Sequence, residues 1–370
     1  MKAPYNSFID KKIRLGSLLS LIFFVLFFPS ACRTDKKEGI SIEWKNNQAI
    51  GIAVPVSLLE KKDSIEQLLH VRVENNESDM LGNYKVANEA ISFQPLVPLS
   101  RGLSYEIFYR NKLIGKINVP PADVANAPKL VAVYPSTDTV PENLLKMYFQ
   151  FSVPMREGEA LKHIFLLDEH KDTLPGTFLD LQPELWNKER TVLTLWLDPG
   201  RIKRDLIPNE KMGNPLQRGR HYTLVVSQQW KDVQGLLLQN SFQRGLFVRE
   251  RDDTLPQPQL WQLQLPAAST TMPLVIDLPE PLDYFLLKET ISIRDEKNNT
   301  VPGTIRIKNK ERSFDFIPSQ AWKAGLYKLQ VASYLEDLAG NNLVRPFDRD
   351  ITKQKEKKES NFFEREFRIE

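Results

Sequence analysis

The amino-acid sequence predicts an all-β protein of two or three tandem domains. Apolar and polar residues alternate over short segments such as 40–44, 69–73 and 363–369, which is the period of a half-buried strand. The chain holds 25 prolines and 16 glycines, and no segment sustains the apolar period of a helix. A stretch of 15 residues that occurs twice, more than a hundred residues apart, indicates that the strands belong to repeated domains.

The repeated stretch spans residues 163–177 and 290–304. Seven of its 15 positions are identical, and the apolar positions fall in step. Each copy predicts a short strand, a polar turn and a second strand that begins at Pro-Gly-Thr. Because Pro-Gly restricts the geometry of a turn, we expect Gly176 and Gly303 to occupy equivalent positions between turn and strand.

Two proline-bearing segments divide the chain, one before Leu130 and one before Leu260. Prolines make such linkers semi-rigid. We therefore predict β-domains over residues 39–119, 128–249 and 259–370, of which the first is a diverged copy of the other two.

The N-terminus predicts export from the cytoplasm. Residues 1–31 have a basic start, an apolar run and small residues at the end, which is the pattern of a secretory signal peptide. The apolar run, residues 15–28, is shorter than the ~20 residues that span a bilayer. Cys32 follows directly, and the segment resembles the lipobox of bacterial lipoproteins. The resemblance implies a lipid on Cys32, a tether over residues 32–38 and an anchor in the cell outer membrane.

Two other interpretations of this segment remain: an ordinary cleaved signal peptide with an incidental cysteine, or an uncleaved anchor. Cys32 is the single cysteine of the chain, so neither an intrachain disulfide nor a cysteine-based metal site can form.

The charge of the chain argues against nucleic acid as a partner. The formal net charge is +3, but residues 1–31 alone carry a net +3, so the remainder is close to neutral. A protein that binds nucleic acid through phosphate contacts needs a clustered excess of lysine and arginine.

Several motifs carry a family likeness. They are Phe-Ser-x-Pro at 151–154, Leu-Pro-Gly-Thr at 174–177, and an ending of Tyr-x-Leu-x-Val followed by Asp-x-x-Gly, the clearest example being 337–340. These motifs resemble the bacterial Ig-like domains first named for S-layer proteins, most closely over residues 128–248. The resemblance implies tandem Ig-like β-sandwiches that act as spacers or adhesion modules and carry no catalytic residue.

The sequence offers little for catalysis or metal binding. Its four histidines lie near strand ends, and it has no nucleophile elbow, zinc-protease motif or phosphate loop. We therefore predict no catalytic residue, no cofactor site and no metal site. Asp337 with Asn341, or Asp232, could hold a weak Ca²⁺ through loop oxygens. More often an aspartate in such a position caps a β-turn.

One segment is a candidate for partner contact. Arg190 to Tyr222 spans 32 positions where Arg312 to Tyr327 spans 15, so the second domain has 17 extra residues, within 199–215. Long loops in compact domains are often functional. The basic and apolar residues of this loop suit a contact surface, and we name as candidate contacts Arg201, Ile202, Lys203, Arg204 and Leu206. The alternative is a lid over one end of the sandwich.

Together these features predict a non-catalytic scaffold or binding and adhesion module of the cell envelope. Its partners would be the membrane, through the N-terminal lipid, and an unidentified envelope protein or glycan. The alternative is an envelope enzyme, or enzyme subunit, that acts on glycan or peptidoglycan. A recessed cluster of paired carboxylates would favour that alternative, because glycosidases use two facing carboxyl groups.

Overall fold

The computed structural model describes residues 39–45, 48–59, 65–87, 89–349 and 360–370. The predictions of a signal peptide, a lipid on Cys32 and a tether lie outside these residues. Residues 40–370 form one compact unit. Among the described residues, no helix combines the length and the apolar character needed to cross a membrane.

The first sandwich comprises two antiparallel sheets around a core that includes Ile52, Phe93 and Ile107. Its elements are β1 (Ser41–Lys45), β2 (Gln48–Pro55), α1 (Ile65–Leu68), β3 (Leu69–Val73), β4 (Gly82–Val86), β5 (Ala90–Pro95), β6 (Ser104–Tyr109) and β7 (Lys112–Asn118). The sheets have the orders β1-β2-β5-β4 and β3-β6-β7.

The second sandwich packs its sheets around a core that includes Phe149, Leu224 and Trp230. Its elements are β8 (Leu130–Tyr134), β9 (Thr139–Pro141), β10 (Lys146–Phe151), α2 (Ala160–His163), β11 (Ile164–Leu167), β12 (Leu185–Trp186), β13 (Val192–Trp196), α3 (Pro199–Ile202), α4 (Ile207–Met212), β14 (His221–Val226) and β15 (Phe242–Arg249). The sheets have the orders β12-β13-β10-β8 and β11-β14-β15-β9, with β9 parallel to β15.

The third sandwich has a core that includes Trp261, Phe314 and Leu329. Its elements are β16 (Gln262–Gln264), β17 (Leu274–Asp277), α5 (Tyr284–Thr290), β18 (Ile291–Asp295), β19 (Gly303–Lys308), β20 (Ser313–Pro318), β21 (Gly325–Ala332) and β22 (Phe362–Ile369). The sheets have the orders β16-β17-β20-β19 and β18-β21-β22.

The three sandwiches share one topology. When the seven common strands of each are lettered A to G in chain order, one sheet runs A-B-E-D and the other C-F-G. This is the arrangement of constant-type Ig domains. A short helix precedes strand C in all three copies. The prediction of an all-β fold of tandem Ig-like sandwiches is therefore confirmed.

A tyrosine at the start of strand F supports the same assignment. The hydroxyl oxygens of Tyr105 and Tyr222 each accept a hydrogen bond from the backbone amide five residues upstream, at 2.7 and 3.1 Å. The hydroxyl of Tyr327 exchanges hydrogen bonds with the backbone amide and carbonyl of Lys323, at 3.2 and 3.0 Å. This contact is the tyrosine corner of Ig-type sandwiches, and here it occurs three times.

The repeated stretch forms the same turn in both copies. In each, the first aspartate of the turn accepts hydrogen bonds from the backbone amides two and four residues later. The distances are 2.8 and 2.9 Å for Asp168, and 3.0 and 2.8 Å for Asp295. Such bonds pull the chain into a tight turn after the strand.

The two glycines of the repeat are not equivalent, and that expectation is wrong. Gly176 lies in a turn with φ of +61°, a conformation that favours glycine. Gly303 instead begins β19 without a positive φ. A Cβ there would lie 2.6 Å from the carbonyl oxygen of Ile317. Gly176 is therefore needed for its backbone conformation, whereas Gly303 is needed because its lack of a side chain allows close packing.

Candidate functional site

The loop of 17 extra residues folds back onto the second sandwich. Arg201 is only 9% exposed, and its guanidinium donates hydrogen bonds to the carbonyl oxygens of Gly176 (2.8 Å), Gly213 (3.0 Å) and Asn214 (3.1 Å). Ile202 is fully buried in the hydrophobic core. These two candidate contacts are thus corrected: their side chains hold the loop to the sandwich and are not accessible to a partner in this conformation.

The other three candidates lie at the surface of the loop. The Lys203 ammonium lies 4.5 Å from the ring centroid of Phe347, and Arg204 Nε lies 2.8 Å from Asp348 Oδ2. Leu206 is 42% exposed and its neighbour Ile207 is 65% exposed. Lys203 and Arg204 therefore already contact the segment that follows β21. Partner contact by Lys203, Arg204 and Leu206 stays a prediction.

The joint between the second and third sandwiches holds a nearly buried ionic network. Lys146 on β10 lies 3.0 Å from Asp283 Oδ2 and 2.7 Å from Glu336 Oε2. The Tyr148 hydroxyl donates to Asp283 Oδ2 at 2.7 Å. Burial lowers the pKa of Lys146, but the two carboxylates outweigh it and leave the pKa above its ordinary value. Lys146 is therefore charged and held by two partners.

Asp283 belongs to this network because of its place in the chain. It precedes α5, and its Oδ1 accepts hydrogen bonds from the backbone amides of Phe285 and Leu286 at 3.0 and 2.9 Å. Aspartate is a preferred N-cap, since it satisfies amides that the helix leaves unpaired. One carboxylate thus fixes the start of a helix with one oxygen and the neighbouring sandwich with the other.

Aromatic and hydroxyl contacts continue the joint. The rings of Tyr134 and Tyr284 stack with centroids 3.5 Å apart, and Phe285 packs against Tyr148 with centroids 4.7 Å apart. The buried Glu311 of the third sandwich accepts two hydrogen bonds from the second, where the amide and the hydroxyl of Ser136 each donate at 2.8 Å. Both charged and aromatic groups therefore cross this joint.

A backbone clamp lies beside this network. Asn143 donates its amide to the carbonyl oxygen of Asp252 at 2.8 Å and accepts from the Asp252 amide at 2.9 Å. Asn341 donates to the same carbonyl oxygen at 2.9 Å. The linker between the two sandwiches is thus held at Asp252 by one asparagine from each side.

Three carboxyl groups meet at this clamp. Oxygen atoms of Asp252, Glu280 and Asp337 lie within 4.8 Å of one another. Burial raises the pKa of Asp337 well above its ordinary value. Burial, followed by the charge of Asp252, raises the pKa of Glu280 to about 7. Burial also acts on Asp252, but hydrogen bonds from Thr254 and Arg249 leave its pKa below the ordinary value.

This cluster admits two chemistries, a shared set of protons or a hard divalent cation, for which carboxylate oxygens are ordinary ligands. Its aspartates already have hydrogen bonds. Asp337 Oδ1 accepts from the amides of Ala339 and Asn341 at 2.8 and 2.9 Å, which caps the turn as the sequence favoured. Asp232 caps the equivalent turn of the second sandwich with bonds of 2.9 and 2.8 Å. Asp252 and Glu280 carry no motif, and sequence reasoning missed them.

A different kind of joint lies between the first and second sandwiches. There a cleft of about 630 Å³ separates the two domains. Its lining residues are Gln48, Ala49, Val97, Pro98, Leu99, Ser100, Arg101, Arg156, Glu157, Arg190, Val233, Gln234 and Gly235. Three of these carry a positive charge and one carries a negative charge, so the cleft is basic.

No family model matches the chain, and no curated protein matches its sequence. Among solved structures, it is similar to native alpha-2-macroglobulin from Escherichia coli (9% identity over 55% of this chain and 66% of that one, TM-score 0.23). It is similar to the S-layer protein SbsC (14% identity, 56% and 24%, TM-score 0.23). It is also similar to the FN1–FN3 domains of chicken CNTN1 (11% identity, 82% and 93%, TM-score 0.18). The chain thus spans less than two thirds of the length of the first two of these proteins. The fold assignment rests on the strand topology and on the tyrosine contacts.

Proposed function

We propose that this chain is a cell-envelope lipoprotein whose three Ig-like sandwiches act as a non-catalytic scaffold or binding module. In this proposal the lipid on Cys32 holds the protein at the outer membrane. The sandwiches carry the binding surface away from the bilayer towards a partner protein or glycan.

The observation that carries the proposal is the use of charged side chains at the joint between the second and third sandwiches. Lys146 of the second sandwich forms ion pairs with both Asp283 and Glu336 of the third, so these charges join the two domains. Contacts of this kind fix the angle between two domains, whereas ordinary interdomain interfaces permit relative motion. A fixed angle suits a spacer or a presenting surface.

The physical chemistry of acylation supports the anchor. Each buried acyl CH₂ contributes roughly 0.8 kcal/mol, and a single chain gives only marginal binding. The several acyl chains implied by the lipobox resemblance would retain the protein at the membrane almost irreversibly.

The anchor is tested by replacing Cys32 with Ser. We expect the variant to leave the membrane fraction and to lose incorporation of labelled fatty acid. Cross-linking of the wild-type protein in native envelopes, followed by identification of the partners, tests the binding role. Unchanged membrane retention of the Cys32→Ser protein would refute the lipid anchor.

The alternative, an enzyme acting on glycan or peptidoglycan, has one observation in its favour, the recessed carboxylate cluster. Against it, Asp252 is 7% exposed and Asp337 is 2% exposed, so neither borders an open cleft as a glycosidase carboxylate does. Release of muropeptides from purified peptidoglycan by the wild type, abolished by Glu280→Gln, would replace the scaffold proposal with the enzyme.

A further inference from the structure

The cleft between the first and second sandwiches is built from loops of both domains. The first sandwich contributes the loop 97–101, and the second contributes Arg156, Arg190 and the turn 233–235. A cleft of this size lies within the range of ligand-binding sites, and such sites often form between domains.

Two arginines reach the cleft from neighbouring loops of the second sandwich. Arg156 and Arg190 are both exposed. The amide of Met155 donates to the carbonyl oxygen of Arg190 at 3.1 Å, which ties the two loops together. The amide of Arg156 in turn donates to the carbonyl oxygen of Lys231 at 3.0 Å. The backbone positions of both arginines are therefore fixed at the same end of the sandwich.

The third arginine comes from the opposite wall and is oriented by an aromatic ring. The guanidinium carbon of Arg101 lies 4.8 Å from the ring centroid of Trp44. Glu157 is the one acidic side chain among the lining residues. With three arginines and one glutamate among its lining residues, the cleft carries a net positive charge, which favours an anionic ligand.

We propose that this cleft binds an acidic peptide segment of a partner protein, an inference that rests on the proposed role as a binding module. The planar fork of arginine matches a carboxylate through two parallel hydrogen bonds. Gln48 and Ser100 supply neutral hydrogen-bonding groups beside the arginines, and Val97, which is 71% exposed, supplies an apolar contact. This mixture fits an extended chain with carboxylate, amide and apolar groups better than it fits an inorganic anion.

The experiment measures binding of a fluorescein-labelled hexaglutamate peptide to the full chain by fluorescence anisotropy at about 0.15 M ionic strength, where charges more than about 8 Å apart are largely screened. The test variant is Arg156→Gln with Arg190→Gln. The matched control is Arg306→Gln with Arg368→Gln, which removes the same charge from two exposed arginines of the third sandwich. A thermal melt of each variant verifies that it is folded, and all four arginines are exposed, so the substitutions remove no buried contact.

We expect the test variant to bind the peptide about tenfold or more weakly than the wild type, because charge-assisted hydrogen bonds are lost. The control should change the affinity by less than about twofold, because charges distant from the ligand are screened. Equal affinity of the two variants, or no binding of the peptide by the wild type, would overturn the proposal. Binding of inorganic pyrophosphate in place of the peptide would also overturn it, in favour of a phosphate ligand.

The peptide and cross-linking results together distinguish a failure of the cleft as the binding site from a failure of the binding role itself. If the test variant loses the peptide but still cross-links to the wild-type partners in native envelopes, the binding module stands and uses another surface. If cross-linking detects no partner for the wild type, the binding role itself fails, whatever the peptide does.

Discussion

The two joints of this molecule are built by opposite means. Between the second and third sandwiches, a lysine lies between two carboxylates, aromatic rings stack, and two asparagines clamp the linker. Between the first and second sandwiches, arginines line an open cleft. Charges that are paired and enclosed fix a geometry, whereas an excess of positive charge along a cleft favours an anionic ligand. One fold is thus repeated three times and joined in two different ways, one suited to rigidity and one suited to binding.

The largest expected effect comes from removing Lys146, the lysine at the centre of the joint between the second and third sandwiches. Lys146→Met leaves Asp283 without its cationic partner, and breaking a buried ion pair costs about 3–5 kcal/mol of the free energy of unfolding. Lys310→Met breaks a pair across the same joint in which both side chains are more than half exposed, Lys310–Asp138, and should cost at most about 1 kcal/mol. Urea unfolding of both variants makes the measurement. Equal losses would mean that enclosure of the pair does not matter.

A smaller effect shows which sandwiches unfold together. Tyr105→Phe and Tyr222→Phe each remove one hydrogen bond, worth about 0.5–1.5 kcal/mol. Because the first sandwich meets the second across a cleft, we expect Tyr105→Phe to destabilise the first sandwich alone. Tyr222→Phe should destabilise the second and third together. Hydrogen exchange resolved by peptide distinguishes the two, and a Tyr105→Phe effect that spreads through all three sandwiches would contradict the contrast.

A third effect concerns pH at the carboxylate cluster. The pKa of Glu280 is raised to about 7 from an ordinary value of 4.5, so the folded protein holds this proton more tightly than the unfolded chain. Its contribution to stability is present below pH 4.5 and is lost as the pH rises towards and through 7. Glu280→Gln should therefore be more stable than the wild type at pH 8, and the difference should shrink towards pH 5.

The control for this measurement is Glu250→Gln, which removes a carboxylate that is 77% exposed and paired with Arg218. Thermal melts of the three proteins between pH 5 and 8 are compared. Parallel curves for the wild type and Glu280→Gln would show that Glu280 does not titrate in this range. The comparison between variants is needed because His163, whose pKa burial lowers, has the opposite effect over part of the same window.

Much of the fold could be predicted from the sequence, because alternation of apolar residues and turn motifs are local. The repeated aspartate turns at 168 and 295 are examples, since their hydrogen bonds reach only four residues along the chain. The joint could not be predicted in this way. Lys146 and Glu336 are 190 positions apart in the sequence. Nothing local to either residue distinguishes it from an ordinary surface charge, because the pair forms only where the two sandwiches meet.

The loop of 17 residues shows the same limit. Its mixture of basic and apolar residues is equally typical of a contact surface and of a lid. Arg201 is held by backbone carbonyl oxygens from two distant segments, and a sequence does not reveal such acceptors. The signal that could have placed Ile202 in a helix was the N-cap Asp198 followed by Pro199, which begins the single-turn helix that ends at Ile202.

Calorimetry of the full chain tests whether the second and third sandwiches form one cooperative unit to which the first is joined separately. We expect two transitions, one for the first sandwich and one for the second and third together, and we expect Lys146→Met to split the latter. Three independent transitions in the wild type, or a single transition shared by the first and second sandwiches, would contradict it.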